Sequence, residues 1–233
     1  MTKNRTATPS DLLVTLSSPR SPISESYRTL RTNLQFISLD KPLQSLLITS
    51  PGPEEGKSTM LANLAIAIAQ GGKKAIMVDC DLRRPSLHKL FGLSHQKGLT
   101  TMMLDDKAML APPLQETSVP GLHLLASGPL PPSPPDLFGS QRMDRVLAIL
   151  KERADIVLLD APPVVAVSDA AILATKVDGV LLVVSAGQTR RDSVQAAKTR
   201  LEKVNARLIG AVLMNVPLDT SLQQYYYARG EEE

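Results

Sequence analysis

Apolar residues in this chain fall into short runs separated by stretches with helical periodicity. Tyr27, Leu30, Leu34 and Ile37 recur at helical spacing behind Ser24-Glu25, which predicts a helix that ends before Pro42. Ser45 to Ser50 then reads as a short buried strand. A Gly/Pro loop follows, and Lys57 to Gln70 forms a strongly apolar helix stopped by Gly71-Gly72. Further buried strands are predicted at Lys74–Asp79, Asp155–Asp160, Gly179–Val184 and Leu208–Asn215. Helical patterns fill the gaps at Arg142–Glu152, Ser168–Thr175 and Arg190–Asn205. Strands that alternate with helices imply an α/β fold, a mostly parallel central sheet with helices on both faces.

Two stretches fall outside this pattern. Met1 to Ile23 mixes Ser, Thr and Pro with Lys3, Arg5 and Arg20, and reads as a flexible basic arm with a short ordered piece at Leu12 to Leu16. Eight of the 18 prolines lie between Pro112 and Pro135, so that stretch is expected to be extended connection and not a sheet interior. The division that follows is an arm over 1–23, one domain over 24–217 and a tail over 218–233.

Composition narrows the class. Apolar residues at 43% and charged ones at 21% fit a folded globular protein and exclude a mainly disordered chain. No apolar run approaches the roughly 18 residues of a membrane span, and no apolar stretch near the start is long enough for a signal peptide, which points to a cytoplasmic protein. Cys80 is the single cysteine, so disulfide frameworks and paired-cysteine zinc sites are excluded. A net charge of +3 with 3% aromatic residues gives no platform for nucleic acid.

The loop Pro51-Gly52-Pro53-Glu54-Glu55-Gly56-Lys57-Ser58-Thr59 lies between strand and helix. A phosphate-binding loop needs glycine backbone amides to face phosphate oxygens, a lysine to reach the β- and γ-phosphates, and a hydroxyl for Mg²⁺. Gly56-Lys57-Ser58 meets that requirement, although Pro51 replaces the first glycine and Glu54-Glu55 place carboxylates beside the phosphate path. Asp79, Asp81 and Asp160 end or follow strands, so all three project from the carboxyl edge of the sheet where the loop lies. Asn215 closes the last strand, where its amide could read an adenine or simply form a turn. His88, His95 and His123 lack ligand-spaced partners and read as surface or packing residues.

The residues Asp79-Cys80-Asp81-Leu82-Arg83-Arg84-Pro85, Gly56-Lys57-Ser58-Thr59, Asp160-Ala161-Pro162-Pro163 and Ser168-Asp169 resemble the bacterial tyrosine kinases of capsular and exopolysaccharide systems, in their stand-alone form. The resemblance runs from about Ser21 to Tyr227 and implies a P-loop NTPase fold. It also implies use of ATP and Mg²⁺, with Lys57 and the loop amides of residues 52–59 on the phosphates. Ser58, Asp81 and Asp160 would hold the metal, and Asp79 or Asp81 would accept the phenol proton. Glu25, Arg28 and Arg31 match the family's E-x-x-R-x-x-R oligomerisation helix, which implies a cyclic homo-oligomer. Tyr225, Tyr226 and Tyr227 match its C-terminal autophosphorylation cluster. A membrane adaptor of the polysaccharide co-polymerase type, a cognate tyrosine phosphatase and a place at the inner face of the membrane are implied as well. Two rivals share parts of this pattern: a ParA/MinD-like ATPase, whose early second lysine would fall at Gly52, and a nucleotide-gated scaffold without kinase activity.

Overall fold

The computed structural model describes residues 9–37 and 42–217. After a 3-10 turn at Pro9–Leu12 come α1 (Val14–Ser17), α2 (Pro22–Ile37), β1 (Ser45–Thr49), α3 (Lys57–Gln70) and β2 (Ala75–Asp79). Three short helices follow, α4 (Leu87–Phe91), α5 (Leu99–Leu104) and α6 (Asp106–Leu110), then β3 (Gln115–Glu116) and β4 (Leu122–Leu125). The second half contains α7 (Pro134–Gly139), α8 (Gln141–Lys151), β5 (Ile156–Asp160), α9 (Asp169–Ala174), β6 (Gly179–Ser185), α10 (Arg191–Lys203) and β7 (Leu208–Met214).

The strands form one sheet in the order β3-β4-β2-β5-β1-β6-β7, parallel except where β3 runs antiparallel to β4. Every residue of β1, β2 and β5 is buried, which is why these strands read as continuous apolar runs with no alternation. Alternate residues serve two cores. Leu46, Ile48, Met77 and Leu158 pack under α2 and α3, whereas Leu47, Val78, Leu159 and Leu182 pack under the helices of the opposite face. α3 is buried along most of its length because the sheet lies on one side of it and α1 and α2 on the other.

Three expectations need correction. The basic arm does not extend to residue 23, because the chain from Pro9 onward is folded against α3. Leu13 and Thr15 are buried there. Asn63, fully buried on α3, fixes this strap: its Oδ1 accepts from Thr15 N at 2.9 Å and its Nδ2 donates to Leu12 O at 2.8 Å. Second, α2 begins at Pro22, and Ser21 rather than Ser24 caps it by accepting from Ser24 N at 3.2 Å. Ser24 is buried, and its hydroxyl lies 2.7 Å from Ser18 O and 3.1 Å from Val14 O, so it ties the strap to α2.

Third, the proline-rich stretch contains two sheet strands after all, β3 and β4. β4 lies between β3 and β2, since its four residues Leu-His-Leu-Leu contain no proline and keep every ladder donor. The prolines stand outside it, and Pro134 opens α7 at a first-turn position where no amide is needed.

Candidate active site

Lys57 begins α3 just after Gly56, whose φ of 85° is readily reached only by glycine. Its Nζ donates to Asp81 Oδ2 at 2.8 Å and lies 3.3 Å from Asp160 Oδ1. Ser58 Oγ donates to Asp160 Oδ2 at 2.5 Å. The phosphate-loop lysine and serine therefore share one fully buried carboxylate at the end of β5. Burial opposes the charge on Lys57, but Asp160 and Asp81 outweigh it and hold the ammonium protonated.

Sheet register explains why the acids converge. Asp79 and Asp160 are direct partners across β2 and β5, so their side chains leave the same face side by side. Asp79 is fully buried; its Oδ2 accepts from Ser86 N at 3.0 Å and Leu87 N at 3.1 Å, while Oδ1 has no partner. Burial first, and the Asp160 charge second, push its pKa up to about 7. Asp160 is also raised by burial, against the opposing pull of Lys57 and Ser58. Asp81 completes the group, with Oδ1 accepting from Arg84 N at 3.0 Å.

The two glutamates of the loop diverge. Glu54 is exposed and adopts a left-handed φ of 59°, while Glu55 turns inward and is only 5% exposed. Burial raises the Glu55 carboxyl, partly offset by hydrogen bonds from Thr189 and the Gly52 amide. Pro51, in place of the first glycine, is buried under the loop. Arg83 reaches across the site, its Nε and Nη2 meeting Asp169 at 3.0 and 3.1 Å. This bidentate pair ties the loop after β2 to α9, and the sequence did not flag it, because only the fold brings residues 86 positions apart together.

A cleft of about 640 Å³ opens over this group, lined by the loop residues Pro53 to Thr59 and by Asp81, Arg84, Pro162 and Leu90. Leu12 of the strap also lines it.

A chain built this way has known relatives. The ParA family, whose matching profile is described as a NUBPL iron-transfer P-loop NTPase, spans residues 44–221. The tyrosine-protein kinase YwqD of Bacillus subtilis is 39% identical over 225 residues, 97% of this chain and 94% of that protein. The chain belongs to the bacterial tyrosine-kinase family. Two solved kinase-family structures agree. The kinase domain of Escherichia coli tyrosine kinase ETK superposes with a TM-score of 0.84 at 32% identity, covering 95% of this chain and 84% of that one. The chimerical protein CapA2B2 gives 0.84 at 36% identity, covering 89% and 91%.

The remaining candidates of the kinase-family reading are distributed as follows. Asn215 has a left-handed φ of 58° at the end of β7, and its Nδ2 donates to Ser185 Oγ at 2.9 Å. Glu25 and Arg28 pair with each other at 2.7 Å on α2. Arg31 turns inward instead, and its Nη1 donates to Ala67 O at 2.9 Å near the end of α3. Cys80 is fully buried, with its thiol raised well above the usual range by burial and by the flanking aspartates. His88 is buried against His95, ring centroids 4.3 Å apart, with Nδ1 unpartnered. Tyr225, Tyr226 and Tyr227 lie outside the described residues. No described helix is long and apolar enough to cross a membrane.

The donor set suits magnesium. Among the described residues no three Asp, Glu, His or Cys side chains gather into a closed metal cage. One hydroxyl and two carboxylates that already hold a cation, the Lys57 ammonium, are the kind of partial oxygen set that Mg²⁺ completes with phosphate and water.

Proposed function

We propose that the protein is an ATP-dependent protein-tyrosine autokinase of a capsular or exopolysaccharide system, acting on Tyr225, Tyr226 and Tyr227 of a neighbouring copy. The observation that carries this reading is the meeting of Lys57, Ser58, Asp81 and Asp160 at one sheet edge, with Asp79 beside them.

Phosphoryl transfer asks little covalent work of a protein and much positioning and charge stabilisation. Lys57 is released from its two carboxylates as phosphate oxygens take their place, and the amides of Gly52 and of residues 54–59 orient the same oxygens. Ser58, Asp81 and Asp160 would hold Mg²⁺, which spreads the charge that develops on the phosphoryl group. Asp79 is the candidate base. Asp81 and Asp160 are engaged by Lys57 and Ser58, whereas Asp79 has a free oxygen and a pKa of about 7, near the value a general base needs at neutral pH.

Glu25, Arg28 and Arg31 on α2 are the candidate contacts of a cyclic homo-oligomer in which a tail reaches the next subunit. A membrane adaptor would bring the protein to the inner face of the membrane, and a tyrosine phosphatase would reset the tail. Pure protein incubated with labelled ATP should yield phosphotyrosine on phosphoamino-acid analysis. Phosphate release without labelled protein would favour the ATPase reading instead.

A further inference from the structure

We propose that Leu12 and Leu90 form an apolar wall against which the acceptor tyrosine ring docks, an inference that rests on the autokinase reading above. The strand order supplies the direction. The phosphate loop follows β1, with β6 and β7 on one side and β5, β2 and β4 on the other. Ser185 and Asn215, joined at 2.9 Å, end the β6 and β7 side. Asp160, Asp79 and Asp81 end the opposite side, and α4 with Leu90 follows β2 there. A nucleotide whose base reaches Asn215 therefore aims its terminal phosphate away from Asn215, toward Asp81 and Leu90. The acceptor enters from that side.

The open cleft extends the same way. Leu12 and Leu90 line it, and Ser185 and Asn215 do not. Leu12 is a large apolar side chain left 43% exposed at the cleft wall. Its place is fixed through the backbone, since Leu12 O accepts from Asn63 Nδ2 at 2.8 Å. A tyrosine needs an apolar surface for its ring and a polar end for its hydroxyl. The exposed Leu12, with the largely buried Leu90 also at the cleft wall, supplies the first beside the carboxylates that supply the second. The occupant is the Tyr225–Tyr227 segment of a second copy, three consecutive phenols that a polar tail cannot bury by itself.

Binding can be read without chemistry. The probe is a synthetic peptide of residues 223–229 with phenylalanine at the three tyrosine positions, titrated calorimetrically into full-length protein saturated with a non-hydrolysable ATP analogue and Mg²⁺. Leu12→Ala should weaken peptide binding about tenfold, as expected for the loss of a ring-to-leucine contact. Leu12→Met should stay within about twofold of wild type, and the analogue's own affinity should change by less than about twofold in both variants. An unchanged melting temperature shows that Leu12→Ala is folded, and Leu12→Gln, which keeps the length, should reproduce the loss. Equal peptide affinity in Leu12→Ala and wild type, no peptide binding by wild type, or an equal loss of nucleotide affinity would overturn the assignment. Failure of the autokinase reading would show separately, as no phosphotyrosine formed by wild type on the tyrosine peptide.

Discussion

Lys57 Nζ lies 2.8 Å from Asp81 Oδ2, so the phosphate-loop lysine is paired with one of the protein's own carboxylates. Because Asp160 shares the same ammonium at 3.3 Å, Lys57 compensates a fully buried carboxylate and so contributes to the fold itself.

Lys57→Met should therefore do two things. Transfer should fall by roughly 100- to 1000-fold, the usual cost of removing a group that stabilises transition-state charge. The protein should also lose on the order of 3 kcal/mol at pH 8, since the buried Asp160 is left without its cation. The stability loss should shrink toward pH 5 as Asp160, whose carboxyl pKa burial raises, takes up a proton. Thermal melts at the two pH values, with a phosphotyrosine assay, check both parts.

Asp79 ties stability to pH in the opposite sense from an ordinary paired carboxylate. Below about pH 4 it is protonated in the folded and unfolded chains alike, and its burial carries no charge penalty. Between about 4 and about 7 only the unfolded chain ionises, so stability falls as pH rises; above about 7 the penalty is complete and constant. Asp79→Asn should thus raise stability at pH 8, by at most on the order of 4 kcal/mol, while abolishing transfer. Wild-type transfer should rise with pH through about 7 and then level off. Denaturant unfolding at pH 5 and pH 8 and a pH–rate profile test the pair of statements. A more active Asp79→Asn protein would exclude this residue as the base.

Asn63→Ala should release the strap. It leaves the buried Thr15 amide without its partner and frees the Leu12 carbonyl, at roughly 1–3 kcal/mol for each buried group left unpaired. The melting temperature should fall by at least about 4 °C. Hydrogen exchange should show amides 13–18 opening well before those of the sheet.

Arg31→Ala should cost about 1 kcal/mol in the isolated subunit, because its guanidinium closes a carbonyl near the end of α3. Glu25→Ala removes only a part-exposed pair and should stay within about 0.5 kcal/mol, and Arg28→Ala, which also removes the exposed hydrogen bond from Arg28 Nη1 to Pro19 O at 2.8 Å, should stay within about 1 kcal/mol. Light scattering of all three variants separates this local effect from assembly: a smaller particle in the Glu25 or Arg28 variant, without loss of stability, marks an intersubunit contact.

The core strands β1, β2, β5 and β6 were legible because burial forces unbroken apolar runs, and they and the part-exposed edge strand β7 fall within a residue or so of where those runs place them. The phosphate loop was legible for a different reason, since its chemistry demands Gly56, Lys57 and Ser58 in immediate succession. β4 was hidden. Four residues are too few to outweigh eight surrounding prolines in any window, and only the neighbouring strand shows that its amides are used. The strap was hidden because its order comes from Asn63 and Ser24, partners far along the chain, and not from any periodicity of its own. Ser24 misled in a specific way: a serine before an acidic residue looks like a helix cap, yet here the hydroxyl serves a tertiary contact one turn inside the helix. The inward turn of Glu55 and the Arg83–Asp169 pair depend on folded geometry that no local pattern encodes.

Cys80 is the chain's single sulfhydryl, sealed between two strand-end carboxylates at zero exposure and held in its unreactive form. A cysteine introduced at any exposed site would therefore be the sole nucleophilic sulfur in the native molecule. Dyes, spin labels and crosslinkers can be placed one at a time without first removing a native thiol, which makes the motions of this protein open to spectroscopy in an otherwise unaltered chain.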